Sequence, residues 1–448
     1  MGVMMQTFHW DCPYEDKKEF QWWNYIRENI PSLAKIGFTS LWLPPIHKAA
    51  NLFGPSMGYD PYDYYDLGEF DQKGTVPTWF GTRQELESLI ESAHKHQLSL
   101  IADIVINHNS GADAQEANPI TGQFRWTLFN PKSGKFPRNW ESFHPSMYES
   151  WDEMAFGDMP DLSHRNPHVY AELLKFTRWL IEEIGFDGFR YDFVKGYGAN
   201  TITAIQEYRY MRDGNPVIPY GVAEYWDSAS NTLHWVNEAN FSNSNPVDAF
   251  DFPLRELLKG MCDQYGFSLK SLVNGDSILH VQPHSTVTFV ENHDLRDEGR
   301  PIANDKLLAY SYILTHEGYP CVFWKDYFNY ALAMKDSPNG IDALVQAHET
   351  YAAGSTDVLY LDDNLYIMQR TGAGDQRGLI YVLNNNGDDW HGQWILTKWT
   401  NASFRPVAWW GKNDISRPAD QSSGPDGRGQ FFAPARGYAV YVVDNFIA

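Results

Sequence analysis

Apolar and polar positions alternate between two patterns from the start of the chain to about residue 353. Some segments are short and apolar throughout, as strands of a helix-covered parallel sheet are, whereas most segments between them repeat their apolar positions at helical spacing. Eight segments are of the first kind: 3–8, 38–43, 98–106, 186–192, 218–223, 247–252, 286–290 and 319–323. Eight strand–helix units favour an α/β fold, a (β/α)8 TIM barrel. The alternative, a doubly wound open sheet, usually carries a glycine-rich turn after an early strand, and no such turn is visible in the sequence.

Two of the intervening segments carry clear helix start signals. Thr82 and Glu85 have the spacing of a capping box and precede apolar residues at helical spacing. Asn166 followed by Pro167 is typical of an N-cap and a first helical turn, and Gly185 fits the end of that helix. Both signals agree with a chain of alternating strands and helices.

Two regions depart from the barrel pattern. Residues 109–165 follow the third strand, are rich in Asn, Pro, Trp and Ser, and show no helical period. We expect an inserted subdomain of irregular and β structure there, which leaves 1–108 and 166–353 to the barrel. From 354 to 448, turn residues separate short strand-like runs at 358–361, 365–369, 379–383 and 438–443. They predict a C-terminal antiparallel β-sandwich, with its tryptophans, among them Trp394, Trp399, Trp409 and Trp410, in the core.

Composition narrows the range of partners. The formal net charge is −22, which disfavours nucleic-acid binding, because that needs clustered Lys and Arg, and also disfavours binding to an anionic membrane surface. The three cysteines are scattered and predict neither a disulfide framework nor a zinc knuckle. Aromatic residues make up 15% of the chain, which leaves some available for stacking on sugar rings. We expect a monomer that binds neither nucleic acid nor membranes.

The first residues lack the basic start and the small-residue cleavage site of a secretory signal. Two expectations stay open: the protein is cytoplasmic, or it is secreted and a leader has been replaced by Met1.

Carboxylates follow three of the predicted strands. Asp192, Glu224 and Asp294 come at or just after the ends of the fourth, fifth and seventh apolar runs. In a barrel of this type those ends meet at one face, so we expect the three side chains to converge. Glycoside hydrolysis needs one carboxylate as nucleophile or base and one carboxylic acid as proton donor. Asp192 or Asp294 alone is equally well explained as a helix N-cap, and the joint occurrence of the three carboxylates favours the catalytic interpretation.

Five stretches resemble, in chain order, the sequence signatures of the α-amylase family of glycoside hydrolases. They are Asp103-Ile-Val-Ile-Asn-His108, Met159-Pro-Asp-Leu-Ser163, Gly188-Phe-Arg-Tyr-Asp-Phe-Val-Lys195, Gly221-Val-Ala-Glu224 and Phe289-Val-Glu-Asn-His-Asp294. Residues 57–74 are similar to the true α-amylases of bacteria and archaea more than to the transferases of the family. The resemblance covers nearly the whole chain.

The resemblance implies a role for each carboxylate. Asp192 is expected to be the nucleophile that forms a covalent glycosyl–enzyme. Glu224 is expected to protonate the leaving oxygen and then to activate water. Asp294 is expected to stabilise the distorted sugar and to help keep Glu224 protonated. Asp103 lies between apolar neighbours inside its strand, and we interpret it as mainly structural, orienting Arg190.

The resemblance also implies a set of substrate-binding residues. Arg190 is expected to keep Asp192 ionised. The other expected substrate contacts are Tyr59, stacked under the sugar at the cleavage point, His108 and His293, bonded to its hydroxyls, and Lys195 and Trp226, on the leaving-group side.

A structural Ca²⁺ between barrel and insertion is a further implication of the resemblance. Its expected ligands are oxygen atoms, as Ca²⁺ requires. They are the side chains of Asn107, Asp152 and Asp161 and the backbone carbonyls of Met154 and Gly196. The family more often has His at position 196, but the ligand there is a backbone oxygen. A zinc site near His144 is not expected, because Glu149 and Ser163 occupy places where some archaeal relatives have His and Cys.

Taken together, the resemblance implies a retaining, endo-acting α-1,4-glucan hydrolase that acts on starch, glycogen and malto-oligosaccharides. An exo-acting maltooligosaccharide-forming amylase or a transglycosylase on the same scaffold is the first alternative. A non-catalytic glucan-binding barrel is a remote one, because such a protein should have lost its carboxylates. An inverting mechanism with a wider gap between the two carboxylates also stays open.

Overall fold

Eight parallel strands close into a barrel in the computed structural model, which describes residues 2–152, 154–242 and 244–445. Strand 1 pairs with strand 8, and every other strand pairs with its neighbours in chain order. Barrel strands 1 to 8 are Met4–Gln6, Ser40–Leu43, Ser99–Ile104, Gly188–Tyr191, Tyr220–Ala223, Asp248–Phe250, Thr286–Phe289 and Tyr319–Phe323. Each lies within a predicted apolar run, and the predicted (β/α)8 fold is confirmed.

Helices cover the outside of the barrel. The α-helices are Cys12–Glu15, Trp22–Ile36, Arg83–Lys95, Pro167–Trp179, Ala199–Glu207, Ala229–Asn240, Phe252–Asp263, Ser271–Asn274, Ile278–Val281, Lys306–Ile313 and Ile341–Tyr351. Leu180–Ile184 and Lys325–Asn329 form π-helical turns, and Trp140–Ser142, Val194–Gly196 and Pro283–Ser285 form 3₁₀ turns. Within the described residues, no helix has the length and apolar character that crossing a membrane requires.

The predicted helix start signals act as their sequences suggest. Thr82 caps the helix Arg83–Lys95 through a capping box with Glu85, whose side chain accepts from the Thr82 amide at 2.8 Å. The Asn166 side chain accepts from the amide of His168 at 2.9 Å. Such caps satisfy amide groups that the first turn leaves without helical partners.

The described residues of 109–165, between strand 3 and the helix Pro167–Trp179, are largely irregular, as expected. They contain one antiparallel hairpin, Ala114–Ala117 with Phe124–Leu128. The segment contacts the carboxyl end of strand 3, where the Leu162 amide donates to the Asn107 carbonyl at 2.8 Å. Two small hairpins lie elsewhere in the barrel region: Lys48–Ala49 with Pro61–Asp63, and Tyr210–Arg212 with Asn215–Val217.

The C-terminal strands form two antiparallel sheets around a core of their own. The six-stranded sheet contains, in spatial order, Thr356–Leu361, Leu365–Arg370, Leu379–Asn384, Gly437–Asn445, Ser403–Gly411 and Gln421–Ser422. The two-stranded sheet contains His391–Leu396 and Arg428–Ala433. Side chains of both sheets, such as Ile380 and Phe431, share one buried cluster. The predicted antiparallel domain is confirmed, and four of its strands were not foreseen.

The tryptophans of this domain divide between core and surface. Trp399 and Trp409 are buried, and Trp410 packs against the barrel's core. Trp394 is 62% exposed, so the prediction that it lies in the core is wrong. It lies with Leu396 on the outer face of a two-stranded sheet, and the burial alternation along that strand turns both side chains to solvent.

Candidate active site

The three predicted catalytic carboxylates lie at the carboxyl end of the barrel. Asp192 directly follows strand 4, Glu224 directly follows strand 5, and Asp294 lies in the loop after strand 7. The Asp192 amide donates to the Ile104 carbonyl at 3.2 Å, and the Glu224 amide donates to the Tyr191 carbonyl at 3.0 Å. These bonds extend the barrel ladder by one residue, so rigid strands fix both carboxylates.

Arg190 joins the carboxylates. Its guanidinium is 1% exposed. The Nη1 atom donates to Asp192 Oδ1 at 2.6 Å and to Asp103 Oδ1 at 2.9 Å, and Nη2 lies 2.9 Å from Glu224 Oε2. The planar fork of arginine suits this arrangement, because its terminal nitrogens contact separate carboxylates at fixed spacing.

Asp103 positions Arg190, as the sequence predicted. Its other oxygen, Oδ2, accepts from the Tyr59 hydroxyl at 2.8 Å and from Trp42 Nε1 at 3.1 Å. Burial raises the pKa of Asp103 to about 6, and the adjacent Arg190 charge opposes that shift. Three polar contacts, from Arg190, Tyr59 and Trp42, therefore hold a residue that has no exposed surface.

Negative charge exceeds positive charge at this centre. A single guanidinium contacts Asp103, Asp192 and Glu224, and none of the three is more than 12% exposed at its side chain. Burial raises the pKa of Asp192 well above its ordinary value, Arg190 lowers it, and the neighbouring Glu224 and Asp103 raise it further. Buried like charges at such separations resist simultaneous ionisation.

A turn with a strained backbone follows Asp192 and places an amide group against Glu224. Phe193 adopts a left-handed backbone with φ of 45°, directly after the strand ends. Non-glycine residues rarely take this conformation, and strain of this kind concentrates at functional sites. The turn directs the Phe193 amide to Glu224 Oε2 at 3.0 Å. Both polar contacts of the Glu224 carboxylate within the described chain therefore involve Oε2.

His293 links strand 1 to Asp294. Its Nδ1 lies 2.9 Å from Gln6 Nε2, and its Nε2 lies 3.2 Å from Asp294 Oδ2. Burial lowers the pKa of His293 well below its ordinary value, so the ring is neutral. Because the Gln6 amide is a donor, Nδ1 accepts and Nε2 carries the hydrogen that Asp294 receives.

Arg296 contacts the third carboxylate and was not singled out in the sequence. Its Nη1 lies 3.2 Å from Asp294 Oδ1, and its guanidinium lies 3.8 Å from the ring centroid of Trp10. Burial raises the pKa of Asp294, and Arg190 and Arg296 oppose the shift. The sequence feature that could have identified Arg296 is its position two residues after Asp294.

Tyr59 and His108 lie beside the carboxylates. Tyr59 stacks on His293 at 4.9 Å and 8°, within the floor of the site. His108 Nε2 lies 3.0 Å from the Tyr59 carbonyl and donates to it, and burial lowers the pKa of His108 to about 4. In this arrangement the neutral His108 ring supports Tyr59, and its other nitrogen, Nδ1, accepts from Asn107 Nδ2 at 3.5 Å.

Lys195 and Trp226 lie on the Glu224 side. Lys195 Nζ donates to Asp227 Oδ2 at 2.6 Å. Trp226 stacks on Phe252 at 4.6 Å and 14°, with the Arg300 guanidinium 5.2 Å from its ring. A flat aromatic group and a cation with its counter-ion therefore border the cleft there.

Four of the five predicted Ca²⁺ ligands form one connected cluster. Asn107 Nδ2 donates to the Met154 carbonyl at 3.1 Å, and the Met154 amide donates to Asp161 Oδ2 at 2.9 Å. Asn107 Oδ1 points at Gly196, where an added Cβ would lie 1.9 Å from that oxygen. A glycine at 196 is therefore what allows the Asn107 side chain to lie there.

The predicted Ca²⁺ ligands agree with a calcium site at Asn107 and differ from one at Asp152. Asn107 Oδ1 is buried and accepts no hydrogen bond from the described part of the chain, as an oxygen reserved for a cation would. Asp152 is engaged elsewhere: its Oδ1 lies 3.1 Å from His144 Nε2, and its Oδ2 accepts from the His164 amide at 3.0 Å. The residues present therefore suit an oxygen-ligated ion held by Asn107, Asp161 and two carbonyls.

The carboxylates at the strand ends of this parallel barrel supply the pair of acidic groups that a glycoside hydrolase needs. The family model described as "Alpha amylase, catalytic domain" matches residues 16–249, and the chain belongs to the α-amylase family. It is 29% identical to the α-amylase of Bacillus licheniformis, with 87% of each protein covered. It is 30% identical to the glucan 1,4-alpha-maltohexaosidase of Bacillus sp. (strain 707), covering 87% of this chain and 84% of that protein.

The fold is also similar to solved structures. The α-amylase of Geobacillus thermoleovorans, complexed with acarbose, superposes with a TM-score of 0.71. The comparison covers 99% of this chain and 98% of that one, at 18% identity.

Proposed function

We propose that the protein is a retaining, endo-acting α-1,4-glucan hydrolase that cleaves internal bonds of starch, glycogen and malto-oligosaccharides. The observation that carries the proposal is the contact of a single Arg190 guanidinium with both Asp192 and Glu224. Two carboxylates that share one guanidinium lie close together. Close spacing favours direct attack by the nucleophile, whereas inversion needs room for a water molecule between sugar and base.

In the first step, Asp192 attacks the anomeric carbon and Glu224 protonates the departing oxygen. Arg190 contacts Asp192 through Oδ1, which leaves Oδ2 as the attacking atom. Glu224 receives Arg190 and the Phe193 amide at Oε2, which leaves Oε1 as the atom that passes a proton to the leaving oxygen. The glycosyl–carboxylate bond forms as the glycosidic C–O bond breaks.

In the second step, Glu224 is ionised and removes a proton from water. The water oxygen attacks the anomeric carbon, and Asp192 leaves as a carboxylate. Asp294 stabilises the positive charge that develops on the sugar ring in both steps. The neutral His293 holds Asp294 through Nε2, and Tyr59 stacks against the sugar from the floor of the site.

Exo-acting release of a short product is the second candidate. One observation favours it: among the similar proteins is a glucan 1,4-alpha-maltohexaosidase, whose name denotes a product of fixed size. The two candidates share all catalytic steps and differ in how the cleft binds the ends of the chain.

Calcium completes the proposal. When bound, the ion would supply fixed positive charge that ties the insertion to the barrel, and it would take no part in the reaction. Asn107 and Asp161 would hold it with the Met154 and Gly196 carbonyls. Asp152, paired with His144, would support the insertion next to them. We also propose that the protein acts as a monomer.

The catalytic proposal is tested by Asp192→Asn with Asp248→Asn as the matched control, because Asp248 is a largely buried aspartate in the same barrel, away from the cleft. We expect Asp192→Asn to lower the rate of starch hydrolysis by about 10⁴-fold or more with an unchanged circular dichroism spectrum. Asp248→Asn should keep its activity. A half-active Asp192→Asn enzyme would refute the mechanism.

Stereochemistry and mode of attack need separate measurements. Proton NMR of the first product should show the α-anomer before mutarotation, whereas an initial β-anomer would establish inversion. Product analysis on soluble starch over time should show a broad early range of oligosaccharides. A single dominant short product from the earliest time points would instead support the exo-acting candidate.

A further inference from the structure

The third carboxylate of the site, Asp294, has a cation of its own. The buried Arg190 contacts three other carboxylates, and Asp294 is not among them. We propose that Arg296 is a positioning residue that holds Asp294 ionised and in one fixed orientation for the reaction. It would thereby set the lowest pH at which the enzyme works. This inference rests on the proposed glycoside hydrolysis and adds a residue to its electrostatics.

Arg296 contacts two consecutive residues through one nitrogen atom. Its Nη1 lies 3.2 Å from Asp294 Oδ1 and donates to the His293 carbonyl at 3.2 Å. The arginine therefore lies against the loop that follows strand 7. Two acceptors restrict the orientation of the guanidinium more than a single ion pair does, because the hydrogen atoms of the group have fixed directions.

The Trp10 ring fixes the guanidinium from a second direction. The guanidinium lies 3.8 Å from the centroid of that ring, and a cation is attracted to the face of an indole at this distance. The Trp10 ring is in turn parallel to the rings of Tyr59 and His293, to within 14° and 6°. Trp10 follows strand 1, so the contact joins the loops after strands 1 and 7.

Both oxygens of Asp294 accept hydrogen bonds in this arrangement. Oδ1 accepts from Arg296, and Oδ2 accepts from His293 Nε2 at 3.2 Å. A protonated carboxyl group would have to turn one of these oxygens from an acceptor into a donor, so the two contacts favour the ionised form. An ionised Asp294 is what the proposed stabilisation of a positively charged sugar requires.

The other groups around Asp294 do not take the place of Arg296. The charged and titratable groups of the described chain that face Asp294 are Arg190, Arg296, Arg300, His293 and Tyr59. Burial raises the pKa of Asp294, and the three arginines oppose that rise. The ring of the histidine is neutral. Among the Lys and Arg side chains of the described chain, only that of Arg296 lies within ion-pair distance of the carboxylate.

Exposure makes this contact weak as a source of stability and sensitive to salt. The side chain of Arg296 is 44% exposed, and that of Asp294 is 33% exposed. Ion pairs at such positions contribute little to folding, so we expect the loss of Arg296 to change the protonation of Asp294 without unfolding the protein. Added salt should weaken the contact, because exposed charges are screened.

The direct test is an NMR titration of Asp294 in enzyme labelled with ¹³C at its aspartate carboxyl groups. The Asp294 resonance is identified by its loss in Asp294→Asn. We expect Arg296→Met to raise the pKa of Asp294 by about one pH unit. Arg296→Lys should restore most of the wild-type pKa, because the charge returns. An unchanged pKa in Arg296→Met would overturn the inference.

Arg405→Met is the matched control. The Arg405 side chain is 43% exposed, and its Nε lies 2.9 Å from Asp444 Oδ1 in the C-terminal six-stranded sheet. The variant therefore loses an ion pair of similar exposure outside the site. Its activity and its Asp294 pKa should match those of the wild type. An equal rise of the Asp294 pKa in both variants would trace the effect to the net charge of the protein and would overturn the role of the contact.

The pH dependence of kcat/KM on soluble starch shows whether the reaction uses the contact. This profile reports ionisations of the free enzyme. A raised Asp294 pKa means that the carboxylate takes up its proton at a higher pH, so the acidic limb of Arg296→Met should move up by about one pH unit. In high salt the wild-type limb should move towards that of the variant. A loss of activity that is equal at all pH values would indicate a merely structural role and would overturn the inference.

The titration also separates this inference from the catalytic proposal, because it needs no substrate. The pKa of Asp294 should rise in Arg296→Met even if Asp192→Asn keeps its activity and the proposed mechanism fails. An inactive Asp192→Asn enzyme together with an unchanged Asp294 pKa in Arg296→Met would refute the role of Arg296 alone.

Discussion

Buried carboxylates have a charged partner at one end of the barrel and a neutral partner at the other. At the carboxyl end, Asp103, Asp192 and Glu224 share the Arg190 guanidinium. At the amino end, Asp248 begins strand 6 and lines a cavity of about 740 Å³ with the first residues of strands 7 and 8. Asp248 accepts from the Tyr220 hydroxyl at 3.0 Å, and no cationic side chain of the described chain lies within ion-pair distance of it.

The difference lies in what stabilises the charge. Burial raises the pKa of Asp248 to about 7, and its bond from Tyr220 only partly opposes the shift. A buried carboxylate without a counter-charge therefore takes up a proton near neutral pH, whereas at Asp103, Asp192 and Asp294 the Arg190 charge opposes the rise in pKa that burial causes. Fold alone does not make a buried aspartate catalytic.

Removing the arginine should have the largest effect. Arg190→Met leaves three carboxylates clustered and unpaired, which we expect to cost about 3–5 kcal/mol of stability and to lower kcat at least about 10³-fold. Melting curves and starch hydrolysis measure both. Arg190→Lys keeps one charge without the fork, and its stability and activity should lie between those of the wild type and Arg190→Met. Equal activity of Arg190→Lys and wild type would show that charge, not geometry, matters.

Asp103→Asn should have a smaller effect, because it keeps the side chain's shape but weakens the hold on Arg190. We expect kcat to fall roughly 10- to 100-fold, since misplaced catalytic groups lose rate steeply, while KM changes little. Steady-state kinetics on soluble starch measures the two separately. A rise in KM at constant kcat would mean that Asp103 serves substrate binding instead.

Removal of Ca²⁺ by a chelator should affect the carboxyl end of the barrel before the amino end. Because the proposed calcium ligands lie at the carboxyl end only, EDTA should lower the melting temperature by several degrees through loss of a ligand of the folded state. Hydrogen exchange should then accelerate at Asn107 and Asp161 before it does at strand 6. A melting temperature that EDTA does not change would count against a structural Ca²⁺.

The smallest effect is expected at the amino end. The folded-state pKa of Asp248 lies above the unfolded value, so the wild type loses stability as pH rises from about 4 to about 7 and bears the full loss above pH 7. Asp248→Asn should therefore raise the melting temperature at pH 8 by a few degrees and have less effect at pH 5. Calorimetric scans at both pH values measure this, with exposed Asp363→Asn as the control. The same gain at both pH values would exclude titration as the cause.

Barrel strands were the most predictable elements. Strand 3 and its neighbours are buried on both faces, so the sequence shows continuous apolar runs with polar residues at their ends. The strands His391–Leu396 and Ser403–Gly411 were missed for the converse reason. His391–Leu396 is largely exposed along its length, and Ser403–Gly411 alternates buried with partly buried positions around Pro406. Neither pattern gives a continuous apolar run.

The site was predictable in its members but not in its connections. Asp192, Glu224 and Asp294 follow strands, and the family signatures identify them. The contact of Arg190 with Glu224 joins residues at the ends of two strands, and the pairing of Asp152 with His144 depends on how the insertion folds. Domain boundaries at 108, 165 and 353, the residue roles and the calcium site stay predictions.

The sequence by itself determined the eight strands, the order of the motifs and the residue types at the strand ends, because burial and hydrogen bonding constrain these locally. The tertiary structure decided which carboxylates obtain a counter-charge and which aromatic side chains remain in solvent. Charge compensation and exposure depend on distances across the fold. Asp192 and Asp248 both lie at strand ends, but Asp192 contacts the Arg190 guanidinium whereas Asp248 contacts the Tyr220 hydroxyl.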